Sequence, residues 1–145
     1  MNPNNFEQNP ATKVQILDFC DEIVRELKNN GFIIQRYISI TSNSVYLKLD
    51  YGVMNSIRIS DHKGKQLSYR YNVIIGGTTY TIKENGKFRY FYGLKSAKQK
   101  LLKQIILDKR TKMNNLGTYN YNRCMRISQI KHQDEKGFWD NAEIL

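Results

Sequence analysis

The sequence predicts an α+β domain: an N-terminal helix, an antiparallel sheet of five or six strands, and a basic C-terminal helix packed on it. Two changes of hydrophobic period carry that prediction. Apolar residues recur every three or four positions up to residue 29, every second position from Phe32 to Tyr92, and every three or four again from Leu94. A chain of 145 residues fits one domain, and 40% hydrophobic content is enough for an ordinary core.

Residues 1–9 are rich in asparagine and are expected to form a flexible N-terminus. Order is expected from Asn9-Pro10, an N-cap followed by proline at the first helical position. Ile16, Leu17, Cys20, Ile23, Val24 and Leu27 then mark one helix face, and Asn29-Asn30-Gly31 closes the helix. Strands are predicted at about 32–40, 44–50, 55–60, 68–75, 78–84 and 87–92. The turns between them are Thr41-Ser42-Asn43, Asp50-Tyr51-Gly52, Gly76-Gly77 and Glu84-Asn85-Gly86. Leu94, Ala97, Leu101, Leu102, Ile105 and Ile106 predict a second helix over about 94–113, broken by Asn114 to Gly117. Tyr119 to Ile130 reads as a short strand or helix. The single domain is thus expected over 10–130, with an acidic tail at 131–145 that carries the only tryptophan, Trp139.

Formal net charge is +10, and its distribution is uneven. Residues 1–61 carry six basic and seven acidic side chains, whereas residues 62–126 carry fifteen basic against two acidic, a net +13. The acidic pair is Glu84 and Asp108. Residues 127–145 carry two basic and four acidic side chains, a net −2. A field of one sign over a small body raises its encounter rate with polyanions, so a nucleic acid or a nucleoprotein complex is the expected partner.

The densest cationic stretch runs from Lys87 to Lys112. Strand alternation puts Lys87, Arg89 and Phe91 on one face, with Phe88, Tyr90 and Tyr92 on the other. On the following helix, Lys100 and Lys103 fall opposite the Leu/Ile stripe, with Lys95 and Arg110 toward its flank. Lys87, Arg89, Lys95, Lys100, Lys103 and Arg110 are therefore the candidate nucleic-acid-binding residues. About six phosphate contacts of this kind on duplex DNA give a slope of log K against log salt of about −5. Lys98 and Lys109 fall nearer the apolar side and are expected to snorkel out along it.

Other chemistry finds little footing. Cys20 and Cys124 lie far apart without C-x-x-C spacing, which argues against a zinc site or a disulfide framework, and Cys20 falls on the apolar face of the first helix. There is no phosphate-cradling G-x-x-x-x-G-K-[ST] loop and no nucleophile elbow. Asp61 and His62 have the chemistry of a general acid/base pair, but metal-dependent cleavage draws on several converging carboxylates, and only Asp50 and Asp61 are close in sequence. Asp61 is expected instead to cap the turn after its strand. His132 has no evident orienting partner. No catalytic residue, metal or cofactor is expected. With no apolar run of about 18 residues and no basic-then-apolar leader, a cytoplasmic protein is expected.

Ser42-Asn43-Ser44-Val45-Tyr46-Leu47-Lys48-Leu49 followed by Ile57-Arg58-Ile59-Ser60-Asp61-His62 resembles a module of small proteins from phages and mobile elements of Gram-positive bacteria. Some inhibitors of CRISPR nucleases have a similar strand ending. That resemblance spans residues 42–62 and implies an accessory protein of anti-CRISPR type, whose partner is a nucleoprotein complex such as a CRISPR effector in the host bacterial cell. It brings no catalytic residue with it. The strand and helix at 87–106 resemble the last strand and helix of double-stranded nucleic-acid-binding domains. Two rivals stand beside this expectation: a sequence-specific DNA-binding regulator, and a nuclease using Asp61 and His62.

Overall fold

A computed structural model describes residues 13–61, 69–75, 89–92, 94–133 and 142–145. The chain forms helix α1 (Lys13–Asn29), strands β1 (Ile34–Ile38), β2 (Val45–Leu49), β3 (Ser56–Ser60), β4 (Tyr71–Ile74) and β5 (Arg89–Tyr92), helices α2 (Leu94–Leu116) and α3 (Thr118–Gln133), and a short strand β6 (Glu143–Ile144). The α+β class holds, with the helix first and basic helices last. The strands form one six-stranded sheet in the order β5-β4-β3-β2-β1-β6.

α1 ends where Gly31 takes the left-handed conformation, φ +83°. Its amide donates to the Lys28 carbonyl at 3.0 Å and the Phe32 amide to the Leu27 carbonyl at 3.1 Å, which closes the last turn. Phe32 and Leu27, both buried, pack across that closure.

The sheet's hydrogen bonding corrects the expectation of an all-antiparallel meander. β1–β2 and β2–β3 are antiparallel, as are β1 and β6, but β3–β4 and β4–β5 are parallel. β5 runs in the same direction as β4, and the two bond directly to each other. The turns expected at Gly76-Gly77 and Glu84-Asn85-Gly86 lie outside the described residues. The strand expected at 78–84 lies outside the described residues. The register aligns one row across the sheet, Arg36, Leu47, Ile57, Tyr71 and Arg89, with Glu143 beyond Arg36.

That row lies on the face covered by the helices. Leu47, Leu49, Ile57, Ile59, Tyr71 and Val73 meet Ile16, Cys20, Ile23 and Leu27 of α1 and Ala97, Leu101 and Ile105 of α2 in one core. Alternation places Tyr37, Tyr46, Arg58, Ser60 and Asn72 on the other face. There Tyr46 stands 5.3 Å from Tyr69 and 6.3 Å from its cross-strand neighbour Tyr37, ring centre to ring centre, which is packing of the cross-strand kind.

The end of the expected acidic tail belongs to the sheet. The Leu145 amide donates to the Ile34 carbonyl at 2.9 Å, and Glu143 accepts from Arg36, which also reaches Asp21 at 2.9 Å.

Candidate nucleic-acid interface

Arg89 shares its strand face with Phe91, as alternation predicts, but that face looks toward the helices rather than outward. Its register partners Tyr71 and Val73 are core residues. Among the described residues β5 is the edge strand, and its row runs out beneath the flank of α2. There Arg89, Phe91, Lys100, Lys103, Gln104 and Leu107 line an open cleft of about 290 Å³. Lys100 and Lys103 are one helical turn apart and exposed, whereas Arg89 is half-buried.

The cleft's electrostatics follow from how α2 spends its charges. The helix has one carboxylate, Asp108, and it is turned toward the sheet: Tyr71 donates to it at 2.6 Å and Gln104 at 2.8 Å. Burial, reinforced by that bond, pushes the Tyr71 hydroxyl well above the usual phenol range. Three lysines on the inner side of α2 are tied down. Lys98 pairs with Glu22 at 3.1 Å, Lys112 donates to the Val53 carbonyl at 2.8 Å, and Lys109 pairs with Asp50 at 2.8 Å. Lys100, Lys103 and Arg110 make no ion pair among the described residues.

The six expected binding residues thus do not all converge. Arg89, Lys100 and Lys103 share the cleft, while Arg110 borders a second opening of about 310 Å³ with Phe32, Lys109, Met113 and Asn114. Lys95 is the second residue of α2, and Lys87 lies outside the described residues. Lys98 and Lys109 lie toward the apolar side of α2, as helical periodicity predicts, but Lys109 turns inward to Asp50 instead of snorkelling out.

Sequence reasoning missed what Lys109 does. Asp50 is fully buried, in a turn whose residues Asp50, Tyr51 and Gly52 all have positive φ (49°, 56° and 95°). That turn aims its carboxylate inward, where it accepts from the Ile33 amide at 2.9 Å, from the Tyr121 hydroxyl and from Lys109. The Lys109 ammonium also donates to the Gly31 carbonyl at 2.9 Å and lies 4.2 Å from the Phe32 ring centre. One buried ion pair therefore joins the end of α1, the β2–β3 turn, α2 and α3. Burial first, then the Asp50 bond, raises the Tyr121 hydroxyl. An aspartate in a turn and a lysine on the inner side of a helix were the signals available, but nothing local pairs them across 59 residues.

Asp61 accepts from the Asn43 side-chain amide at 2.9 Å, which ties the end of β3 to the β1–β2 turn, while His62 and the turn that Asp61 is expected to cap lie outside the described residues. Among the described residues no three His, Cys, Asp or Glu side chains converge as metal ligands. No helix of the described residues is long and apolar enough to cross a membrane. Comparison of the chain with protein-family profiles, curated proteins and solved structures yields no match.

Proposed function

We propose that the chain binds nucleic acid through the cleft between β5 and α2, with Arg89, Lys100 and Lys103 neutralising phosphates. The observation that carries this reading is the convergence of these three cations on one opening while the helix's only carboxylate is engaged on the sheet side. Phe91 and Leu107 give the cleft an apolar wall against which a sugar or base packs. Phosphate contacts made this way supply affinity with little sequence information.

The biological setting comes from the resemblance at residues 42–62: an accessory protein of phage type that inhibits a host defence nuclease by occupying its nucleic-acid channel or guide. Titration of the full chain with labelled single-stranded and duplex 20-mers at several salt concentrations tests the binding. Lys100→Ala/Lys103→Ala should make the slope of log K against log salt shallower by about 1.8. Absence of association at low ionic strength rejects the reading. Undiminished target cleavage by a guide-RNA nuclease in excess of this protein rejects the inhibitor role alone.

A further inference from the structure

α3 is held by one side only. Tyr121 is buried with its hydroxyl on Asp50, and Cys124 and Met125 pack against the core. At 100° per residue, the opposite side carries Tyr119, Arg123, Arg126 and Ile130, with Ile127 toward its flank. All five are exposed, Tyr119 by 78%, Ile127 by 54% and Ile130 by 59%. Single exposed apolar residues are ordinary, but three on one helix face, interleaved with two arginines, form a patch that calls for a partner.

The chemistry of the patch narrows that partner. Residues 118–133 contain Arg123, Arg126 and Lys131 and no carboxylate, so the face fits an anionic surface. A second copy is disfavoured, because two-fold pairing would set arginine against arginine with no acid to offset them. Exposed Asn122 and Gln129 flank the patch on one side and Asn120 on the other. Arginine reads guanine, asparagine and glutamine read adenine, and apolar side chains contact the thymine methyl. A helix about 10–12 Å across fits a major groove about 12 Å wide.

We propose that α3 is a reading helix for duplex DNA, inserting Arg123, Arg126, Ile127 and Ile130 into the major groove. The inference rests on the nucleic-acid reading above and adds to it a surface with base preference. The cleft supplies affinity for any sequence, and α3 chooses among them.

The test begins with selection by the full chain from duplexes with a randomised central segment, followed by titration with an enriched duplex and its scrambled counterpart. A preferred sequence should emerge. Arg123→Ala and Arg126→Ala should each weaken binding to it by about 5- to 150-fold, with little change for the scrambled duplex. Lys100→Ala/Lys103→Ala should weaken both duplexes alike. Both arginines are exposed, so unchanged circular dichroism will show that the variants fold. Binding without enrichment, or a preference unaffected by either arginine variant, overturns the proposal while leaving phosphate binding standing, and assigns the patch to an acidic protein surface. Failure to bind any nucleic acid removes both readings.

Discussion

Replacing Lys109 by methionine tests the buried network that holds α3 in place. Methionine keeps most of the lysine stem and its contact with Phe32, and removes only the charge and its donors. The Asp50 carboxylate would then stay fully buried with two donors, the Ile33 amide and the Tyr121 hydroxyl. Breaking a buried pair by removing one partner costs about 3–5 kcal/mol, and the two surviving bonds place this case near about 3 kcal/mol. For a domain of this size, that lowers the melting temperature by roughly 6–12 °C. Denaturant unfolding followed by far-ultraviolet circular dichroism reads the change directly. Asp50→Asn in the same chain should restore part of the loss, since asparagine still accepts from the Ile33 amide and tolerates the left-handed turn. The thermodynamic cycle should then give a coupling above about 1 kcal/mol. A Lys109→Met loss below about 1 kcal/mol, or strictly additive single variants, would refute the claim that this pair fastens α3 to the sheet.

Burial pushes the Cys20 thiol up from 9.0 to about 11. Because the folded value is the higher one, stability from keeping this thiol protonated is present below pH 9 and is lost as pH rises from 9 to 11, a fall of roughly 2–3 kcal/mol. Thiol-reagent labelling at pH 8 should modify Cys124 first and Cys20 only as the domain opens; equal rates would contradict the burial. Gly117 ends α2 at φ +82° with its amide on the Met113 carbonyl, and a Cβ there meets nothing within 4 Å. Gly117→Ala should therefore cost only the left-handed backbone, about 1–2 kcal/mol by denaturant titration, and a larger loss would reveal a clash. β6 pairs with β1, at the edge of the sheet opposite β5. Removing residues 142–145 should leave nucleic-acid affinity within about twofold; tighter binding would instead show the acidic end competing for the cleft.

Much of the fold was legible because its signals are local. The stripe from Ile16 to Leu27 and the glycine after it specify α1 within a few residues. The alternation through Val45–Leu49 and Ser56–Ser60, with a turn at Asp50-Tyr51-Gly52, specifies an antiparallel pair joined by a short connection. The second helix runs three residues beyond its expected end, since Asn114 and Asn115 are poor helix formers but still helical here, and Gly117 is the true stop. Tyr119–Ile130, ambiguous between strand and helix, is helical because Tyr121, Cys124 and Met125 share a face that the core holds in place.

What the sequence by itself determined was α1, the strands β1 to β5 and α2 in their order, the cationic stretch after residue 62 and the place of Lys98 and Lys109 toward the apolar side of α2, because periodicity and turn chemistry act between residues a few positions apart. Only the tertiary structure decided that β4 and β5 lie parallel, that Arg89 meets Lys100 and Lys103, that Asp50 receives Lys109, and which side of α3 stays outside. Those outcomes depend on where the chain goes between elements, and a hydrogen bond or ion pair is indifferent to the number of residues separating its partners.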